Sequence, residues 1–377
     1  MKPRVLLLST VHPPTDPRIV YKIAPALAQE YEVLCALPQA TSTEAAITMI
    51  RLPRFHRLLF RLLFCHPVVL WKCLRLRPAV VHLFVPELIP IGFLFRWLGA
   101  EVIYEVQENL YKKFTLKRYN NEPVFQQLFR YFDHWARRYF RLVLTEHAYL
   151  EEYRRLAFPA TVVHNYAALP FLDHYAAQGT ASTSRCHRFF YSGVISMERG
   201  FDTLIAALAL LRRQQVDFEV HLFGNVLFSW EEARALPDFD TVRPHLTFYG
   251  YTDLRLALPY AQRARAGIAL LKPVGDYPDS YTTKLFEYMA LELPVVTSDF
   301  PLYREVVERH QCGFCISPYN PQALADNLLW LVEHPLESEQ MGQRGRRAVE
   351  QNYNWATEVQ TLLTLYKTLL APNNKVS

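Results

Sequence analysis

Short apolar runs alternate with helical stretches along this chain, and they do so in two successive series. In the first half, residues 4–9, 32–37, 80–85, 101–106, 143–145 and 161–164 read as strands. The stretches between them carry helical spacing, as at Ile19, Ile23, Ala26 and Leu27. Asp16-Pro17 reads as a helix start, with Asp as the cap and Pro in the first turn. This order predicts a parallel sheet with helices on both faces. Residues 176–184 (AAQGTASTS) are small, polar and uncharged, which fits a linker. The pattern then restarts, with strands expected at 188–192, 219–223, 246–249, 267–271 and 294–297. The expected fold class is α/β, with two doubly wound, Rossmann-like domains facing a cleft. The first spans 1–170, and an amphipathic C-terminal helix within 355–377 crosses back to it. The second spans 185–354. Ligands of such sheets bind beyond the carboxyl ends of the strands, so the chemistry is expected in those loops.

Composition removes several function classes. Only 12 of 377 residues are glycine, about half the usual share of roughly 7%. Neither G-x-G-x-x-G nor G-x-x-x-x-G-K-[ST] occurs, which sets aside a nicotinamide fingerprint and a P-loop. The most apolar stretch, 79–98, is broken by His82, Pro86, Glu87, Pro90 and Arg96, so it does not read as a membrane span. The first residues have too short an apolar run for a signal peptide. Cys312-Gly-Phe-Cys315 is the one C-x-x-C pair, too few ligands for a zinc site, and it reads as packing in a strand. No metal and no cofactor is expected, and a cytoplasmic protein with reduced thiols is.

The sharpest segment is Asp279-Ser-Tyr-Thr-Thr-Lys-Leu-Phe-Glu-Tyr-Met-Ala290, which follows an expected strand and opens a helix. A helix N-terminus with exposed amides is a natural diphosphate site. Lys284 would add a cation in the first turn. Glu287, about one turn further on, could accept hydrogen bonds from both hydroxyls of a ribose. Asp279 stands in the preceding loop. The residues alone also fit an ordinary capped helix with Glu287 on its surface.

This segment resembles the signature of retaining glycosyltransferases of the GT-B fold, family 4. That pattern is an acidic residue, seven residues, then Glu in an F-E-Y-M-A-type helix followed by P-V-V-x-S; here it runs from Asp279 through Glu287 to Pro294-Val-Val-Thr-Ser298. His12-Pro-Pro-Thr-Asp-Pro-Arg18, Tyr191-Ser-Gly-Val-Ile-Ser-Met-Glu-Arg-Gly200 and the Tyr-Asn-Trp355 helix also look like family segments, in the expected order. The resemblance implies a nucleotide-sugar donor whose ribose is bound by Glu287 and whose sugar is bound by Asp279, where the family usually has Glu. Thr282, Thr283 and Lys284 would hold the diphosphate, Gly193 would allow close backbone approach, and Arg199 would neutralise phosphate charge. The family often has a second cation directly after that glycine. Here the position is Val194, with Lys284 or Lys272 as substitutes. The implied reaction retains anomeric configuration and needs no metal. The pair Asp238 and Asp240 is expected in a loop, away from a strand end.

On the acceptor side, relatives commonly read Asp-x-His-Glu where this chain has Glu105-Val-Gln107-Glu108. Gln can hydrogen-bond a sugar but takes no proton. That makes Gln107 a positioning group and Glu108 the local base, beside a structural reading of Glu105 and Glu108. His12 lies in the first strand-to-helix loop, where prolines stand in place of the family's glycine pair. Asp16 and Arg18 are expected to fix that loop.

Charge is unevenly spread. Residues 1–170 carry 22 Lys/Arg and 13 Asp/Glu, a net +9, while the remainder is −4. Between residues 45 and 86 there are seven cations and no carboxylate. Arg54, Arg57 and Arg61 at helical spacing, then Lys72, Arg75 and Arg77, suggest a basic amphipathic helix pair. Lys112, Lys113, Lys117, Arg118, Arg130, Arg137, Arg138 and Arg141 form a second cluster among aromatic residues. Two readings stand level: solvated cations on core-facing helices, or an anionic membrane surface met through 51–77 and 112–141, peripheral on the inner face of the cell membrane. Nucleic acid is not expected as a partner. The function expected is transfer of a sugar to a saccharide or lipid-linked saccharide, as in polysaccharide biosynthesis. The alternatives are a nucleotide-sugar epimerase, or a degenerate transferase that binds donor or membrane without turnover.

Overall fold

The structure is a computed structural model that describes residues 2–41, 46–113, 123–178 and 187–371. The chain divides into two units. One comprises Met1–Asn165 with Trp355–Ser377, and the other Tyr166–Asn354.

The first unit holds β1 (Arg4–Leu8), β2 (Glu32–Pro38), β3 (Ile47–Leu52), β4 (Val80–Leu83), β5 (Glu101–Val106), β6 (Arg141–Leu144) and β7 (Thr161–Val162). They form one sheet in the order β3-β2-β1-β4-β5-β6-β7, and every pairing is parallel. Leu6, Leu8, Leu34 and Val81 lie in one of its buried apolar layers. The sequence reading missed β3. It is an edge strand that exposes Thr48 and Arg51, so it lacks the unbroken apolar run that marks a central parallel strand.

The second unit holds β8 (His187–Ser192), β9 (Phe218–Phe223), β10 (Leu246–Gly250), β11 (Ala266–Ala269), β12 (Val295–Ser298) and β13 (Gly313–Ile316). Their order is β10-β9-β8-β11-β12-β13, again all parallel. In each sheet the order reverses beside the first strand, between β1 and β4 and between β8 and β11. Loops leave such a switch point in opposite directions and open a crevice at the strand ends.

A buried polar chain ties the first unit together. The Arg18 guanidinium grips Glu105 with both arms (Nε to Oε1 at 2.8 Å, Nη2 to Oε2 at 3.1 Å). It also donates to the carbonyls of Val163 and His164. His82 Nε2 lies 3.4 Å from Glu105 Oε2, and its Nδ1 is hydrogen-bonded to Tyr366 Oη at 2.8 Å. Tyr366 stands on the C-terminal helix Trp355–Leu370, which buries Val359, Leu362, Tyr366 and Leu369 in this unit. Burial alone would raise the Glu105 pKa. The Arg18 charge, the nearby His82 ring and the Arg18 hydrogen bonds outweigh that and hold it well below the usual carboxylate range.

Three local expectations need correction. Arg54 lies between β3 and the helical turn that opens at Leu58, so Arg54, Arg57 and Arg61 do not share a helix face. Asp238 and Asp240 are not in a loop: they straddle the start of the short helix Phe239–Val242, where Arg213 holds Asp238 at 2.9 Å. Ala176, expected to begin the linker, closes the helix Leu169–Ala176, and residues 179–184 lie outside the described residues. Burial pushes the thiols of Cys312 and Cys315 up to about 12, so both stay protonated and unreactive near neutral pH.

Glu105→Ala leaves the Arg18 charge buried and unpaired, and is expected to cost about 3–5 kcal/mol by urea denaturation. The depressed folded pKa makes this contribution full above the unfolded carboxylate value of about 4.3 and lost as pH falls below it. Wild type should therefore lose more stability between pH 5 and 3 than Glu105→Gln does.

Candidate functional site

In the second unit the crevice lies between the ends of β8 and β11. β8 leads into Gly193, whose φ of 107° is rarely open to a side chain. Its N–H donates to the Phe223 carbonyl at 2.8 Å. Gly224, after β9, has φ 149°, and a Cβ there would come within 1.8 Å of the Gly193 carbonyl oxygen. Two loop backbones thus touch with no side chain between them, which bares the Gly193 loop. A short turn, Met197–Arg199, follows and brings the Arg199 guanidinium 5.6 Å from the Tyr277 ring.

The helix Thr283–Ala290 faces this loop. Thr282 is its cap residue, with extended backbone and no side-chain capping bond. The turn Tyr277–Asp279 precedes it, and Asp279 N–H donates to the Asp276 carbonyl at 3.0 Å. Tyr288 fastens the helix to the sheet: its hydroxyl accepts from Ser192 N at 2.8 Å and from Ser192 Oγ at 3.3 Å. Gly267 of β11 makes room for that ring, since a Cβ would fall 2.2 Å from Tyr288 Cδ2. Sequence reasoning missed this anchoring role, although Tyr288 stands inside the quoted motif.

Lys284 is 3% exposed, and its ammonium has no hydrogen-bond partner among the described residues. It sits 3.8 Å from the centre of the Tyr191 ring. Burial, then the Arg199 charge, push its pKa well below the lysine range, while Glu287 acts the other way. Glu287 is itself 9% exposed, so it is not the solvated surface group of an ordinary capped helix. Lys272 is differently placed: its ammonium is 2.6 Å from Asp202 Oδ2 and lies over the Tyr319 ring. Val194 brings no charge, and its carbonyl accepts from Tyr191 Oη at 2.7 Å. The residues brought together are thus Gly193, Arg199, Lys284 and Glu287, with Asp279, Thr282 and Thr283 leading into the same helix.

In the first unit a cavity of about 400 Å³ lies at the ends of β1, β4 and β5. Its polar lining includes His12, Gln107 and Glu108. Ser9 Oγ accepts from Val11 N and His12 N, each at 3.1 Å, and is 2.8 Å from His12 Nδ1. The Ser9 proton is then best donated to Nδ1, leaving the ring proton on Nε2. Gln107 Nε2 donates to Glu105 Oε1 at 2.7 Å, so Glu105 is consumed by Arg18, His82 and Gln107. Glu108 is exposed at the cavity. Glu87, which also lines the cavity, is gripped by Arg61 (2.7 and 2.8 Å) and receives the Thr10 hydroxyl.

Residues 181–348 match the family described as Glycosyl transferases group 1. Sucrose-phosphate synthase from Thermosynechococcus elongatus has the same fold, with a TM-score of 0.75 at 17% identity over 98% of this chain and 100% of that one. HepE of Anabaena, solved in complex with UDP, gives 0.68 at 16% identity over 98% and 100%. In sequence, phosphatidyl-myo-inositol mannosyltransferase of Mycobacterium leprae is 30% identical over 132 residues, 35% of this chain. The chain spans 34% of that relative's length and 22% of the other curated relative it matches.

Tyr288→Phe leaves the buried Ser192 N–H without its partner. It is expected to lower stability by about 1–3 kcal/mol, read as a fall in the denaturation midpoint at unchanged slope.

Proposed function

We propose that this chain, a glycosyltransferase of GT-B fold and of the group 1, family 4-like kind, moves a sugar from a nucleotide-sugar to a saccharide or lipid-linked saccharide with retention of configuration. The observation that carries the reading is the Lys284 ammonium. A buried cation without a hydrogen-bond partner is costly. Here it lies beside Arg199, below a bared glycine loop and at the N-terminal turn of a helix. Every one of those features favours a bound diphosphate.

In this reading the amides of Thr282, Thr283 and Lys284 hold the diphosphate with Arg199. Lys284 turns from the Tyr191 ring to meet it and supplies the cation that Val194 does not. Lys272 is committed to Asp202 and stays outside the site. Glu287 binds the ribose and Asp279 the donor sugar. The bond from the anomeric carbon to the diphosphate breaks, and an acceptor hydroxyl bonds to that carbon on the same face. Its proton passes to the departing diphosphate. Electrostatic stabilisation of that leaving group is the main work of the protein. His12 and Gln107 orient the acceptor, and Glu108, the local base, accepts a hydrogen bond from the attacking hydroxyl before its proton passes on to the diphosphate.

The basic face of the first unit supports contact with an anionic membrane, through narrower surfaces than 51–77 and 112–141. Arg61 is held by Glu87, Arg137 by Asp133, and Arg141 lies 3.6 Å from the Phe158 ring. Lys117 and Arg118 lie outside the described residues. Arg130, Arg138, Arg154 and Arg155 are exposed and line an open depression. Trp71 is exposed on the other segment. No helix among the described residues is long and apolar enough to cross a membrane.

A panel of UDP-, GDP- and ADP-sugars tests the reading. Free nucleoside diphosphate supports transfer, an altered sugar an epimerase, and binding without turnover a degenerate transferase. With the accepted donor, Lys284→Met and Glu287→Ala should each weaken binding roughly tenfold or more by calorimetry, the loss of one or two charge-assisted hydrogen bonds. Unchanged affinity in both contradicts the assignment. Because Lys284 is depressed when empty, donor binding should take up a proton and weaken as pH rises. Calorimetry in buffers of different ionisation enthalpy reads that uptake, and Lys284→Met should abolish it. The protein should also pellet with anionic vesicles at low salt and release as salt is raised.

A further inference from the structure

The cavity of the first unit has the wrong lining for a sugar alone. Leu58, Leu62, Val106, Leu110, Leu128 and Phe129 form much of its wall. Three of its charged residues are already engaged: Glu105 is held by Arg18, and Arg61 and Glu87 close on each other through both guanidinium arms. The other polar side chains at the cavity, His12, Gln107 and Glu108, come from the loops after β1 and β5. A saccharide needs polar partners around its whole rim, because a buried hydroxyl without a hydrogen bond is penalised. A molecule with one polar part and one hydrocarbon part fits this division.

The approach to the cavity has the same character. Leu58 and Leu62 line it, while Leu59, Leu63 and Phe64 on the same turns are 54%, 56% and 55% exposed. The rings of Phe55, Phe60 and Phe64 pack against one another beside them. Arg54 and Arg57 are exposed just before these turns, and no carboxylate occurs between residues 45 and 86. An apolar face edged by exposed arginines is complementary to a lipid that carries an anionic linkage.

We infer that this cavity holds the hydrocarbon chain of a lipid-linked acceptor, whose sugar hydroxyl is held at His12, Gln107 and Glu108. This inference rests on the glycosyl-transfer reading and narrows its acceptor to an amphiphile. Leu62 and Leu128 set the depth of the chain site, and Arg57 faces the anionic linkage.

The test uses the full chain and n-alkyl β-glucosides from methyl to octyl, each below its micelle concentration, with binding read by calorimetry. Affinity should rise roughly fourfold per added methylene until the cavity is full, the fold-change that matches about 0.8 kcal/mol per buried CH₂. Leu62→Trp fills the cavity, and Leu128→Gln puts an amide in its wall. Both should flatten that rise while UDP binding to the second unit stays at the wild-type level, which also reports that the variants are folded. Equal affinity across the series in wild type overturns the inference, as does an undiminished rise in both variants. A wild type that binds none of UDP, GDP and ADP, with the chain-length rise intact, instead overturns the donor reading and leaves the chain site standing.

Discussion

Both sheets reverse their strand order beside their first strand, and the chemistry of each unit depends on that reversal. Neighbouring loops part at such a point, so backbone amides and side chains at the strand ends face open space. In the second unit the space is edged by the Gly193 loop and by the helix that carries Lys284 and Glu287. In the first it is a cavity with a polar part and an apolar wall. One topological rule therefore yields two sites of opposite character, set by which residues fill the loops.

Two buried charges show how the same physics separates structure from function. Glu105 is fully enclosed yet meets Arg18, His82 and Gln107, so its charge is answered within the protein. Removing it would loosen β5, β4 and the C-terminal helix together. Lys284 is equally enclosed, but its ammonium has only the face of Tyr191 and the distant pull of Glu287. In the proposed function that cost is recovered when the donor diphosphate binds. Tyr288 keeps that arrangement in place by tying the helix to Ser192 at the end of β8.

Much of this was legible in the chain. Parallel strands are mostly apolar, so twelve of the thirteen strands among the described residues could be read from short apolar runs. β3 could not, because an edge strand mixes Thr48 and Arg51 with its apolar residues. The donor helix was legible because its residues are adjacent in sequence. The Arg61–Glu87 pair and the Tyr288 anchor were not, since each joins residues far apart along the chain. The charge excess of the first half was visible, but its meaning was not. Arg18, Arg61 and Arg137 are spent on buried or half-buried partners, which leaves the exposed cations for the membrane or anionic acceptor of the proposed function.

The proposed function stands on a diphosphate site in the crevice between β8 and β11, completed by Lys284. A crystal structure of the full chain with the nucleoside diphosphate it binds tests this. Phosphate oxygens are expected within hydrogen-bond distance of the Thr283 and Lys284 amides, with the Lys284 ammonium turned from the Tyr191 ring to meet them and Glu287 on the ribose. A diphosphate bound elsewhere, or one bound here with Lys284 still packed on Tyr191, would contradict it.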